Sequence, residues 1–462
     1  PTRCRRQPSS NNVGALTGDP AGASWMHLPP GGQLSPSPAI VLCGATHRFG
    51  AIWSAARVRR VRARSRLPER DRRRVLILVE NAPVPFDRRV RQESLALRAA
   101  GYEVVIVSPQ GSNGDSEPYE VYEGIEIHRF PLREAQRAAG YLREYSGALR
   151  QIRSLVQRLT AERHFGVIHA CNPPDFLLAT AWPLKRRGTR LLFDHHDLSP
   201  ELYESRYQRK DAFYFALRAA ERLAFWAADT VITTNESYRR IAIERGKKRP
   251  EEVFVVRNAP DPAQFGPVAP DESAKRGRRH LIAYLGLMGA QDGIDTALRV
   301  LALLRTQRDD WHAVFMGDGE VFEEMRQFSE ELGLADSVEF TGRVREDRIL
   351  PVLSAADVCI SPEPSSPLND RSTFVKVVEY MSMARPVVAF DLTETRASAG
   401  DSALYAPPGD EAAFAARIAT LLDDPGQRRK LGECGHARMA GELSWNHSRT
   451  QLLRAYAALL DE

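Results

Sequence analysis

The sequence predicts an α/β protein of two doubly wound, parallel-sheet domains that face each other across a cleft. Three observations predict it. From Arg74 onward, short runs of β-branched and apolar residues alternate with longer stretches of helical period, the pattern of parallel sheets covered by helices. That alternation stops once, at residues 259–279, where four Pro and several charges replace any apolar period, and then it restarts. A chain of 462 residues is also too long for one core and has room for two domains and an appendage.

In chain order, residues 75–79 are a continuous apolar run, as expected of a strand buried on both faces, and residues 90–100 follow as a helix closed by Gly101. Residues 103–107 read as the second strand, and an excursion at 121–128 precedes a long Arg-rich helix at 134–161. Further strands are predicted at 167–170, 190–193, 230–233 and 253–256. Beyond the interruption they fall at 281–285, 312–316, 337–340, 358–361 and 386–390, with a final helix at 445–459 that either domain could take. The predicted boundaries are a leader at 1–73, an N-terminal Rossmann-like domain at 74–262, a linker at 263–279, a C-terminal Rossmann-like domain at 280–444 and a closing helix at 445–462. Two successive βα arrays place the ligand crevice at the carboxyl ends of their strands.

With 43% hydrophobic and 27% charged residues, the chain has the apolar content to bury two cores. No apolar run reaches membrane-spanning length, and the longest near the start, residues 39–43, has no convincing cleavage site after it, so a cytoplasmic protein is expected. Five cysteines, an odd number without CxxC spacing, argue against a disulfide framework or a structural zinc site. The net charge of +5 hides an asymmetry: residues 1–70 carry 11 Arg and no Lys against only Asp19 and Glu69. That Pro-, Gly-, Ser- and Arg-rich leader lacks apolar period and is expected to be disordered. It reads as a nucleic-acid arm, an anchor to anionic lipid, or non-native upstream sequence. No aromatic residues interleave with its arginines, so nucleic acid is the disfavoured partner.

Most of the chemistry lies at residues 369–383, after the strand ending at Ser361. Ser372 is placed as a helix N-cap. At about 3.6 residues per turn, Ser372, Lys376, Glu379 and Met383 share one seam, and Phe374, Val377, Val378 and Met381 the opposite one. The helix N-terminus then aims amides and a positive partial charge at the cleft, which suits a diphosphate, and Arg371 and Lys376 add full charges. Glu379 can accept hydrogen bonds from a vicinal diol such as ribose. An ordinary solvated Lys/Glu face is the competing reading.

The run Asp370-Arg-Ser-Thr-Phe-Val-Lys-Val-Val-Glu-Tyr-Met381, followed by Arg385-Pro-Val-Val-Ala-Phe-Asp391, resembles the donor-site signature of the family 4 glycosyltransferases. Phe193-Asp-His-His-Asp197, Gly317-Asp-Gly319 and Phe340-Thr-Gly342 support the likeness, which runs from about Arg74 to the end. The resemblance implies the two-Rossmann GT-B fold, a nucleotide-diphosphate sugar as donor and retention of anomeric configuration; with no Asp-x-Asp at a strand end, neither metal nor cofactor is expected. The resemblance also casts His196, Lys376 and Glu379 as catalytic residues, with His196 touching the donor sugar or an acceptor hydroxyl. Two departures stand out: Arg371 occupies a place where the family commonly has a second Glu, and Leu287 and Asp292 stand where it tends to have Arg and Lys. Donor contacts are therefore expected from Arg371, Ser372, Thr373, Arg343, the turn at Gly286 and Gly289, and Gly317 and Gly319. From the residues alone, Asp194 to Asp197 remain open to a metal site or a purely structural turn.

The expected function is sugar transfer from a UDP- or GDP-type donor to a glycan or lipid-linked acceptor in polysaccharide or glycoconjugate biosynthesis. A nucleotide-sugar epimerase of the same fold and a non-catalytic nucleotide-sugar binder are the alternatives. Arg88 and Arg89 open a helix whose dipole opposes them, an arrangement expected where function outweighs local preference. They are assigned to an anionic, lipid-diphosphate acceptor, with pairing of Arg89 to Glu93 as the bland alternative. An anionic membrane surface, held by the Arg-rich helix, is a further candidate partner.

Overall fold

The computed structural model describes residues 67–111, 117–131, 138–261 and 265–461. Residues 1–66 of the expected leader, 134–137 of the long helix and 263–264 of the linker lie outside them. The last part of the expected leader is ordered, with a short helix at Glu69–Arg72 leading straight into the first strand.

Eight strands form the first sheet: β1 (Arg74–Leu78), β2 (Glu103–Pro109), β3 (Tyr119–Tyr122), β4 (Ile125–Phe130), β5 (Val167–Cys171), β6 (Arg190–His195), β7 (Thr230–Thr233) and β8 (Val253–Val255). Their order is β3-β4-β2-β1-β5-β6-β7-β8, parallel throughout except for the β3–β4 hairpin that was the expected excursion. Six parallel strands form the second: β9 (His280–Leu285), β10 (Trp311–Met316), β11 (Val338–Gly342), β12 (Val358–Ser361), β13 (Val387–Phe390) and β14 (Ala403–Ala406), in the order β11-β10-β9-β12-β13-β14. The order reverses between β1 and β5 in one sheet and between β9 and β12 in the other, and the crevice opens at such switch points. Each sheet is covered on both faces: two separate apolar clusters flank the first and two flank the second. That is why the central strands read as unbroken apolar runs rather than alternating ones.

Two local expectations are corrected, one strand was missed and one assignment left open is resolved. The first helix is Arg88–Ala99, because Asp87 caps it by accepting from the Val90 amide at 3.0 Å. β14 was not expected. The stretch after Ala259 is not a free linker: Phe265 is buried in the second domain and the Val268 amide donates to Ser354 Oγ at 3.0 Å. The Trp445–Leu460 helix leaves the second domain and packs on the first, burying Leu452, Ala455, Tyr456, Leu459 and Leu460 beside β1 and β5 residues.

Candidate active site between the domains

The first domain supplies a wall built on the end of β6. Asp194 is fully buried, and both its oxygens accept from Arg89, Nε and Nη2 each at 2.7 Å. Arg89 Nη1 donates to the Val256 carbonyl at 2.9 Å and to Asn258 Oδ1 at 2.7 Å, and Glu93 Oε1 lies 3.1 Å from Nη2. Burial alone would push the Asp194 carboxyl up, but Arg89 and His196 outweigh it and hold Asp194 well below the usual carboxylate range. His196 Nδ1 sits 3.0 Å from Asp194 Oδ2, and this carboxylate overcomes burial to raise the imidazole above its ordinary pKa. Asn172 fixes the turn: its Oδ1 accepts from the His196 and Asp197 amides at 2.8 and 3.1 Å, and its Nδ2 donates to the Asp197 carbonyl at 2.7 Å. His195 points the other way, to within 3.4 Å of Glu221, so the two adjacent imidazoles diverge and do not share a ligand. His169, Cys171 and Asp194 do bring ligand atoms within 4.8 Å of one another, but both Asp194 oxygens are taken by a guanidinium, which would repel a cation there.

The second domain supplies the facing wall. Its helix Val375–Ser382 buries both Lys376 and Glu379, so the solvated-face reading is excluded. Lys376 Nζ donates to Glu363 Oε1 at 2.5 Å and to Tyr284 Oη at 3.0 Å, while Ser361 Oγ donates to the other Glu363 oxygen. Burial opposes the Lys376 charge, but Glu363 restores it and carries its pKa well above the usual value. Gly286, at φ +150°, passes so close that a Cβ there would meet Lys376 Cε at 2.7 Å. Gly317, at φ +141°, lies where a Cβ would fall 1.8 Å from the Gly286 carbonyl oxygen, so glycine is required at both turns.

Side chains of both domains meet across the cleft. Arg88 Nη1 donates to Glu379 Oε1 at 2.7 Å. Asn235 Nδ2 donates to the Arg371 carbonyl at 2.8 Å and to Thr373 Oγ1 at 3.1 Å, and Tyr238 Oη lies 3.2 Å from Ser372 Oγ. Between the walls lies one pocket whose lining includes His196, Asp197, Asn258, Gly286, Asp292, Ser372, Thr373, Lys376 and Glu379.

Of the residues expected from the sequence, His196, Gly286, Ser372, Thr373, Lys376 and Glu379 come together in that lining. The others do not. Arg89 is 5% exposed and makes four hydrogen bonds inside its own domain, so the assignment of Arg89 to an acceptor is corrected; the alternative pairing with Glu93 is present at 3.1 Å, beside the closer bridge to Asp194. Arg88 faces the donor-side Glu379 instead of an open acceptor surface. Arg371 turns Nη1 to the Pro367 carbonyl at 2.5 Å, and Arg343 is exposed beyond β11, so neither lines the pocket, where Lys376 is the one Lys or Arg among the described residues. Ser372 is not an N-cap, since the helix begins after Phe374 and Ser372 Oγ donates to the Leu368 carbonyl at 2.9 Å. The Gly289 amide is already satisfied by Asp292 Oδ2 at 2.9 Å, and Gly319 packs under Met288, so both glycines support the turn rather than line the pocket. Sequence reasoning missed Glu363, Asn172, Asn258 and Asp197. Only Asp197 carried a signal, as the last residue of the Phe193-Asp-His-His-Asp197 run: its Oδ2 is buried without a partner among the described residues, and burial pushes its carboxyl up to about 6.

Comparison with known proteins agrees with this geometry. Residues 87–259 match the family model described as "Glycosyl transferase 4-like domain", and residues 279–424 match "Glycosyl transferases group 1". Alpha-D-kanosaminyltransferase of Streptomyces kanamyceticus is 26% identical over 180 residues, 38% of this chain and 45% of that protein, so the match spans under half of that relative. Among solved structures, sucrose-phosphate synthase from Thermosynechococcus elongatus superposes with a TM-score of 0.70 at 21% identity, covering 84% of this chain and 99% of that one. Anabaena HepE, solved with UDP and glucose, gives 0.63 at 17% identity over 83% and 99% of the two chains. These two share the fold. With its halves matched by the two domain models, in this order around one cleft, the chain belongs to the glycosyltransferases of GT-B architecture.

Proposed function

We propose that the protein transfers a hexosyl group from a UDP- or GDP-type sugar to a glycan or glycolipid hydroxyl, with retention as in family 4. The observation that carries this reading is the placement of Lys376 and Glu379 on one wall of the pocket and His196 and Asp197 on the other. Lys376 and the amino end of its helix receive the diphosphate and stabilise it as it leaves, an electrostatic role that needs no bound metal or cofactor. Ser372 and Thr373 bracket the phosphates, and Glu379, freed from Arg88, accepts from the ribose diol. His196, whose protonated form Asp194 favours, donates to the sugar or the acceptor, and the open oxygen of Asp197 accepts from a sugar hydroxyl. The protein works at the inner membrane face when its acceptor is lipid-linked.

A panel of nucleoside diphosphates and their sugars, read by thermal shift, tests the donor assignment. A ligand at 100 times its Kd stabilises by about 2.7 kcal/mol. Shifts with uridine or guanosine diphosphates and their sugars, followed by transfer to a glycan or lipid-diphosphate acceptor, are expected. Binding without transfer to any acceptor would leave a nucleotide-sugar binder, and donor turnover without acceptor would leave an epimerase.

A further inference from the structure

One face of the first domain is unlike the rest of the surface. The helix Ala212–Ala227 buries Tyr214, Glu221, Ala224 and Phe225 and turns Phe213, Phe215, Leu223 and Trp226 outward, at 44%, 61%, 46% and 43% exposure. These are four of the eight large hydrophobic residues so exposed among the described residues. Residues 215, 219, 223 and 226 follow one another at helical spacing, so the outward stripe is continuous, and it carries no carboxylate because Glu221 points inward. Trp226 stacks on Trp182 with ring centroids 4.4 Å apart, extending the aromatic surface toward Lys185, Arg186 and Arg187.

The same face of the sheet is covered by the helix Ala138–Glu162, whose Ala148, Ile152, Val156 and Leu159 join the apolar cluster that also holds Ala224 and Phe225. Its outward residues include Arg150, Arg153 and Arg158, with no acid between residues 147 and 161. The two helices therefore lie in one layer, one presenting aromatic and aliphatic side chains and the other arginines, with exposed Arg186 and Arg187 beside them.

We infer that this layer docks the protein on an anionic bilayer surface. Phe and Leu side chains with Trp beside them enter the boundary between headgroups and acyl chains, and the surrounding Arg side chains meet lipid phosphates. The charge complementarity argues for this occupant: a second copy of the chain would bring like arginines against one another. The surface deepens the membrane reading above and relocates it, since the described outward side chains of the Arg-rich helix offer charge without the apolar insertion that makes interfacial binding stable.

The test is co-sedimentation of the full chain with phosphatidylcholine vesicles, with and without about one third phosphatidylglycerol, for the parent, for Phe215→Ser with Leu223→Ser, and for Arg186→Glu with Arg187→Glu. Both apolar positions are largely exposed, and neither lines the pocket, so the fold and donor binding are kept. The parent is expected on the anionic vesicles and not on neutral ones, and each double variant should lose about ten-fold or more in partitioning. Donor thermal shifts on the same samples should stay unchanged. Failure of the parent to bind, retention of parental partitioning by the Phe215/Leu223 variant, or concentration-dependent dimerisation that this variant abolishes would each overturn the inference. Vesicle binding without any donor shift would leave the inference standing and remove the transferase reading instead.

Discussion

The Asp292 carboxylate lies 3.8 Å from the Lys376 ammonium and accepts the Gly289 amide at 2.9 Å, so an acid of the protein itself occupies groups suited to a phosphate. Burial first, and Glu363 in the same direction, lift its carboxyl against Lys376 to about 6. An arriving diphosphate raises it further, so donor binding takes up a proton. Affinity for a nucleotide sugar should therefore weaken as pH rises above 6, by at most about ten-fold per unit. Asp292→Asn should flatten that dependence and bind more tightly than the parent at pH 8. Donor Kd values by calorimetry between pH 5.5 and 8.5 check it, and a parental slope that is already flat refutes it.

Lys376 is not separable from the fold, because Glu363 is 1% exposed and has Lys376 as its charge partner. Lys376→Met strands a buried carboxylate, and breaking such a pair costs about 3–5 kcal/mol. Adding Glu363→Gln should recover most of that stability without restoring donor binding. Denaturant melts of the two variants separate the structural loss from the functional one, and a single mutant as stable as the parent would show that the pair contributes nothing.

Adjacent arginines should behave oppositely. Arg89→Ala takes the guanidinium from two buried carboxylates, Asp194 and Glu93, leaving Asp194 only His196, and should cost about 3–5 kcal/mol, whereas Arg88→Ala takes the cation from one carboxylate, Glu379, that lines the open cleft, and should cost less. Arg88→Ala also releases Glu379, so donor Kd should hold or improve. Equal melting temperatures for the two variants would contradict the geometry.

Glu93 is fully buried, and burial, with Asp194 adding to it against Arg89, raises its carboxyl to about 8. A raised folded pKa means that stability from the neutral form is complete below the unfolded value near 4.5 and is lost as pH climbs through 8. Glu93→Gln, neutral at every pH, should therefore melt higher than the parent at pH 8 and close to it at pH 4.5. The difference in melting temperature between the variants, measured at both pH values, gives the sign directly.

The alternation of strands and helices was legible because double-sided burial leaves continuous apolar runs, as at Val75 to Leu78 and Leu281 to Leu285. β14 was not, since Ala403–Ala406 is four residues with half-buried Leu404 and Tyr405 and resembles the helices around it. Lys376 and Glu379 were legible through helical spacing, which fixes what shares a face. Their partners were not: Glu363 comes from the loop after β12, and Arg89 meets Asp194 across 105 positions of chain. Such pairings follow from tertiary packing, which local patterns do not encode. The same limit explains the misreading of Arg88 and Arg89: neighbours on a helix point about 100° apart, so one entered its own core and the other crossed the cleft.

The Trp445–Leu460 helix has a consequence for how the halves can move. Because it returns to the first domain, the backbone crosses the cleft twice, once after β8 and once before Trp445. Two crossings act like the paired pins of a door: they permit opening about the line that joins them and resist twisting or sliding. They also make the first domain discontinuous in sequence. His169 Nδ1 pairs with Tyr456 Oη at 3.0 Å deep under β5, so a fragment ending at residue 262 would expose apolar surface that only the far end of the chain covers. The two domains are thus topologically interleaved, and cutting between the sheets yields one half that lacks part of its own core.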